Sequence, residues 1–81
     1  SANKILAAHY LKNKEYEKAE NYFRTTIKIT PQDAESNLGL ALSLIKQRKN
    51  DEGISILRYV LEIEPNNNSA KRYLKQLGLS N

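Results

Sequence analysis

Ile27-Lys28-Ile29-Thr30-Pro31 and, thirty-four positions later, Leu61-Glu62-Ile63-Glu64-Pro65 close two segments in the same way: an apolar pair two residues apart, a polar residue, then proline. The chain has no other proline. The register extends outward from both. A shift of 34 carries Asn3 onto Asn37, Leu6 onto Leu40, Ala7 onto Ala41, Lys12 onto Lys46 and Arg24 onto Arg58, and it pairs Tyr10 with Leu44, Leu11 with Ile45 and Phe23 with Leu57. A period of this length marks a supersecondary unit used twice, each copy burying its apolar face against its neighbour.

Each unit resolves into two helices. Residues 34–47 carry Leu38, Leu40, Ala41, Leu42, Leu44 and Ile45, and residues 51–63 carry Ile54, Ile56, Leu57, Val60, Leu61 and Ile63 at helical spacing. Pro31 can open the first of these, since its missing N–H is an orphan in a first turn, and Asp33 offers a cap oxygen. Asn50 is the expected cap of the next, with Asp51 and Glu52 at its positive end. The first unit's helices are predicted at 3–13 and 16–29. Residues 67–78 form a further half-unit, capped by Asn67 and stopped by Gly78, with Tyr73, Leu74, Leu77 and Leu79 beside Lys71, Arg72, Lys75 and Gln76. A terminal helix with one polar face suits the end of a stack.

The chain resembles the tetratricopeptide repeat family over essentially its whole length. The residues that carry the likeness are Leu6-Ala7 and Tyr10, then Leu40-Ala41 and Leu44, on the first helices, and Ala19, Phe23, Thr26 and Pro31, then Gly53, Leu57, Val60 and Pro65, on the second. Asn3 and Asn37 stand where the family usually has an aromatic residue, and Thr26 replaces a small apolar one. The resemblance implies an all-α, right-handed solenoid of helical hairpins with five helices. A single domain over 1–81 divides into repeat one at 1–33, repeat two at 34–67 and a capping helix at 68–79. Ala7, Ala19, Ala41 and Gly53 are expected where helices approach closely, with Gly53 alternatively a tolerated first-turn glycine.

The resemblance also implies a concave surface, lined by the first helix of each pair, that holds peptide segments of other proteins. Adding 34 places Lys4, Leu38 and Arg72 on one rung, Ala8, Leu42 and Gln76 on a second, and Leu11, Ile45 and Leu79 on a third, with Lys12 and Lys46 alongside. The expected partner-binding residues are therefore Lys4, Ala8, Leu11, Lys12, Leu38, Leu42, Ile45, Lys46, Arg72 and Gln76. Leu38, Leu42 and Ile45 lie off the face made by Leu40, Ala41 and Leu44, so this helix is apolar on most sides. Three uses of the extra face stand open: burial by the cap and local curvature, an apolar groove with a basic rim of Lys4, Lys12, Lys46 and Arg72, or contact with another copy or with neighbouring repeats. An amphipathic helix or extended segment with acidic residues would suit the groove. Members of the family that hold acidic chaperone tails use a Lys, Asn and Arg clamp. The matching positions here are Lys4, Ala8, Gly39, Ser69 and Tyr73, of which only Lys4 fits, so no such carboxylate clamp is expected.

Composition narrows the remaining classes. Eighty-one residues with 13 Lys and Arg against 9 Asp and Glu carry a formal charge of +4. No cysteine is present, which removes disulfides, thiolate nucleophiles and cysteine zinc sites, and the single His9 lacks a second imidazole for a metal. No cofactor is expected. No apolar run nears the roughly 20 residues of a membrane span, and the first residues lack a signal-peptide succession. A soluble chain is expected, with the cytoplasm favoured and the periplasm compatible; the lack of methionine points to a chain either processed or excised from a longer polypeptide, with excision favoured. His9 and Ser43 have no positioned partner in the pattern, and Gly39, Gly53 and Gly78 are too scattered for a phosphate loop, so an enzyme is not expected. Lys14, Lys18, Arg24 and Lys28 alternate with Glu15, Glu17 and Glu20, the pattern of a solvated helix face, which argues against nucleic-acid binding. The tyrosines are spaced for packing, with exposure of Tyr22 and Tyr59 the alternative.

Overall fold

The apolar periodicity is realised as five α-helices among the described residues: α1 (Ala2–Lys12), α2 (Tyr16–Ile29), α3 (Ala34–Lys46), α4 (Asn50–Ile63) and α5 (Asn68–Gln76). A computed structural model describes residues 2–79; residues 1, 80 and 81 of the expected 1–81 span lie outside them. Each helix packs against the next in sequence, and α1 also touches α3. Five helices in this order fit two hairpin repeats and a capping helix.

The turns inside the hairpins follow one design that the sequence pattern did not announce. Lys14 and Arg48, 34 apart, and Gly78 all take positive φ, at 64°, 67° and 81°. In each case the next amide reaches back five residues: Glu15 N–H to the Tyr10 carbonyl, Lys49 N–H to that of Leu44 and Leu79 N–H to that of Leu74, all at 2.9 Å. These bonds satisfy carbonyls that a helix end would otherwise orphan. Register alone would put the third such residue at 82, so Gly78 stops α5 one turn early. The expected capping helix at 68–79 is thereby corrected to Asn68–Gln76, and Leu79 belongs to the closing turn, not to a helical rung.

Capping also departs from expectation at two helices. Asn67 does cap α5, its side-chain oxygen accepting from Ala70 N–H at 2.8 Å. Asp33 occupies the cap position of α3 without a side-chain cap bond; its carboxylate instead accepts from the Ser36 hydroxyl at 2.6 Å and pairs with Lys4. Lys49, not Asn50, precedes α4, because the Lys49 carbonyl already accepts the first helical bond from Gly53 N–H. Pro31 sits in the turn before α3 and does not open it. That turn is closed from inside by buried Asn37, whose Nδ2 donates to the Pro31 and Asp33 carbonyls at 3.0 and 2.9 Å. The asparagine found where the family usually has an aromatic residue thus has a defined task.

Two core clusters meet on α3. Ala7, Ala19, Phe23, Leu40 and Leu44 join α1, α2 and α3, whereas Ala41, Leu57, Val60, Ala70 and Leu74 join α3, α4 and α5. The small residues permit this closeness: a Cβ added to Gly53 would lie 2.6 Å from Ile45 Cγ1 and 3.1 Å from the Ala41 carbonyl oxygen. Gly53 is therefore a packing position. Tyr22 and Tyr59 are half-buried, and Tyr22 stacks on Tyr10 with centroids 5.4 Å apart. Thr26 is buried and donates its hydroxyl to the Phe23 carbonyl at 2.8 Å, which makes a polar side chain tolerable there.

The mixed-charge face of α2 is not wholly solvated. Glu20 is only 8% exposed. It accepts from Arg24 Nε and Gln47 Nε2, both at 2.9 Å, and from Lys49 Nζ at 3.4 Å, while Arg24 also reaches Glu52 at 2.8 Å. Burial pushes the Glu20 carboxyl up, but the hydrogen bonds from Gln47, Arg24 and Lys49 together outweigh it and hold the group below the usual carboxylate range. A charge expected in solvent instead ties the first hairpin to the turn inside the second.

Candidate functional site

Helices α1 and α3 run in the same direction because each is antiparallel to α2, and the valley between them is open. The cavity there measures about 530 Å³ and is lined by Lys4, Ile5, Ala8 and Leu11 of α1, Glu35, Leu38, Gly39 and Leu42 of α3, and Phe23 of α2. Its floor comes from one close approach. Gly39 has no side chain, and the Phe23 ring occupies that space so fully that an added Cβ would stand 2.3 Å from Cζ. The aromatic ring of the second helix is thereby brought through to the groove formed by the first helices.

One end of the groove is charged. Lys4 Nζ lies 2.8 Å from Glu35 Oε1 and 3.0 Å from Asp33 Oδ2, bridging α1 to α3 and the turn before it. The hydrogen bond that Lys4 donates to Glu35, then that to Asp33, raises its ammonium above its ordinary value. The Ser36 hydroxyl, helped by Lys4 and opposed by burial, holds Asp33 below its own. Lys4 thus does not contribute an uncommitted positive charge, and the expected basic rim is corrected at this position: one cation here faces two carboxylates.

A second, smaller hollow of about 90 Å³ lies between α3 and α5, lined by Leu42, Ile45, Lys46, Tyr73, Gln76 and Leu77. The expected site residues are therefore split between two hollows. Lys4, Ala8, Leu11, Leu38 and Leu42 come together in the large groove; Ile45, Lys46 and Gln76 join Leu42 in the small one. Lys12 and Arg72 are exposed and line neither, with Arg72 lying 5.8 Å from the Tyr73 ring centroid. The extra apolar face of α3 is divided in the same way: Ile45 packs over Gly53, while Leu38 and Leu42 face the groove. Sequence reasoning missed Ile5, Phe23, Glu35 and Gly39 in the large groove and Tyr73 and Leu77 in the small one. The available signal was Gly39 itself, a mid-helix glycine one repeat from Ile5 and unexplained by any turn.

The sequence model of the tetratricopeptide repeat matches residues 10–77. The chain belongs to the tetratricopeptide repeat family. A search of curated proteins returns no significant match. Tetratricopeptide repeats bind proteins or peptides and are typically non-catalytic, which agrees with a groove whose lining is apolar apart from the Lys4–Glu35 pair. Among the described residues no helix is long and apolar enough to cross a membrane.

As a tetratricopeptide repeat, the chain presents a further uncovered surface at α1. On α3, Leu40 is 4% exposed and Ser43 fully buried, covered by α2; at the corresponding positions of α1, Leu6 is 39% exposed and His9 lies in solvent. Ile5, the counterpart of buried Gly39, is 72% exposed. The last helix differs, since α5 exposes the charged Arg72 and Lys75.

Proposed function

We propose that this tetratricopeptide repeat domain is a scaffold or adaptor module that holds a partner protein segment in the groove between α1 and α3, with the hollow between α3 and α5 extending it. The observation that carries this reading is the open, predominantly apolar groove floored by Phe23 at Gly39, which no part of the described chain covers. A cleft of this volume is within the usual range of binding sites. Lys4, Ala8, Leu11, Leu38 and Leu42 form the contact surface; Lys12, Lys46, Arg72 and Gln76 flank it.

The charge pattern supports a protein partner over nucleic acid. Lys4, Lys18, Arg24 and Lys49 are each engaged by a carboxylate, which takes them from any phosphate-binding face. The reading includes no catalysis: His9 is exposed, outside both hollows, and meets Asn13 and the Tyr10 ring. It also includes no carboxylate clamp for chaperone tails, because Lys4 is held by Asp33 and Glu35 and the other clamp positions are Ala8, Gly39, Ser69 and Tyr73.

The test is capture of partners from a lysate of the source organism by the wild-type chain, Ala8→Glu and Leu42→Glu, with circular dichroism to verify folding. Partners retained by wild type and lost by both folded variants support the groove; retention by both refutes it. Self-association is the second reading, favoured by the exposure of Ile5 and Leu6 on the outer side of α1. Sedimentation velocity separates the two: a dimer dispersed by Leu6→Lys supports pairing, and a monomer at high concentration excludes it.

A further inference from the structure

The groove has a direction as well as a shape. Its floor offers Ala8, Leu11, Phe23, Leu38 and Leu42, and among the described residues no buried side-chain polar atom lacks a hydrogen-bond partner. The backbones of α1 and α3 are already bonded within their helices. An extended segment pressed onto such a floor would lose water from its N–H and C=O groups without replacement, a cost of several kcal/mol that a helix avoids by bonding internally. The eleven residues of α1 rise about 16 Å at 1.5 Å each, the length of about three helical turns.

Charge distinguishes the two ends. Where α1 and α3 begin, Lys4 faces Asp33 and Glu35; the two helix N-termini, about half a positive charge each, bring this set near neutral, and Glu64 in the adjoining hollow adds a negative charge. Where they end, Lys12 and Lys46 are the last helical residues, both exposed, and among the described residues neither takes part in an ion pair. The C-terminal ends of α1 and α3 each carry about half a negative charge, which two full positive charges outweigh. A helix has the complementary polarity, positive at its N-terminus and negative at its C-terminus.

Resting on the proposed groove, we propose that its occupant is an amphipathic helix of about three turns, lying parallel to α1 and α3, with acidic residues in its last turn beside Lys12 and Lys46. Its apolar residues, at i, i+3 or i+4 and i+7, meet Leu11, Leu38, Leu42 and the Phe23 ring. Its N-terminal end, uncharged or basic, meets Asp33 and Glu35.

The experiment is selection of random 14-residue peptides displayed on their own mRNA against the 81-residue chain, with Ala8→Glu and Leu42→Glu as groove-blocked controls. The expected winners lose binding to both controls, show helical apolar spacing, and concentrate Asp and Glu in the last turn. Moving those acids to the first turn of a winning peptide, or reversing the chain's charges with K12E/K46E, should weaken binding about five- to ten-fold at low salt, as loss of two exposed charge pairs implies. Winners that need the groove but carry acids at the N-terminal end, or that are proline-rich and extended, overturn the polarity while leaving the groove intact. If no selected peptide distinguishes wild type from the controls, the groove reading fails and this inference with it.

Discussion

Gly39→Ala sets helix propensity against packing, and the geometry decides the sign. In a helix interior alanine is favoured over glycine by about 1 kcal/mol, so α3 alone would gain from the change. The new Cβ, however, would stand 2.3, 2.6 and 2.7 Å from three atoms of the Phe23 ring. Restoring an ordinary carbon contact of about 3.5 Å requires the ring to withdraw by about 1.2 Å. Phe23 is 3% exposed, packed with Ala7, Ala19, Leu40 and Leu44, and an aromatic ring cannot shorten itself by changing rotamer. The displacement must pass to the α2–α3 spacing. Overpacking of this kind costs about 1–3 kcal/mol, and a three-atom clash belongs to the upper part of that range, leaving a net loss of about 1–2 kcal/mol after the propensity gain. For a chain of this size that lowers Tm by roughly 4–16 °C. Urea denaturation followed by circular dichroism measures the loss directly. Phe23→Leu removes the far end of the ring, so in the double variant the alanine should be better tolerated, with a coupling of about 1 kcal/mol or more. A Gly39→Ala chain as stable as wild type, or a cycle that is simply additive, would refute the claim that ring and glycine are fitted to each other.

Acid should weaken the fold through Glu20 and Asp33. Both are held below their ordinary values, so their contribution is complete above about pH 5 and is lost as pH falls through the folded-state values. The urea midpoint should be level from pH 7 to about 5 and then decline, less steeply in Glu20→Gln; an identical slope in that variant would dismiss Glu20. Asn37→Ala strips two hydrogen bonds from the turn before α3 and should cost about 1–3 kcal/mol in urea denaturation; an unchanged midpoint would show that the turn holds without it. Arg48→Gly relieves a positive φ at the turn between α3 and α4 and should raise Tm by a few degrees, a gain of about 0.5–1 kcal/mol after glycine's larger unfolded-state entropy. A lower Tm would mean that the arginine side chain contributes more than the strain removes.

The helices were legible because their signals are local. Apolar residues at helical spacing and prolines 34 apart specify the elements wherever the chain goes, and boundaries came within a residue or so except at α5. There the expected helix ran to 79, whereas Gly78 at positive φ belongs to the closing turn and the helix ends at Gln76. Lys14 and Arg48 carried no composition cue. A lysine or arginine adopts the left-handed conformation only because the following amide finds a carbonyl five residues back, and that bond exists once the hairpin has formed.

The candidate site was legible in part, for a related reason. Position arithmetic selects the outward face of each first helix, so Ala8, Leu11, Leu38 and Leu42 were found together. It cannot see a side chain arriving from another helix, which is how Phe23 entered the floor, or a partner arriving from a turn, which is how Asp33 and Glu35 came to hold Lys4. The same blindness placed Glu20 in solvent: Arg24 reaches it within α2, but Gln47 and Lys49 join only after α2 has packed beside α3 and the turn that follows it.

The sequence by itself determined the period, the five helices and the family, because each rests on the order and spacing of residues along one chain. The tertiary structure alone decided that the open valley lies between α1 and α3, that Ile45 packs over Gly53, and that Lys4 is held by Asp33 and Glu35 at one end of the groove. Those outcomes depend on distances between residues about 8 to 31 positions apart, and such distances exist only when helices have met.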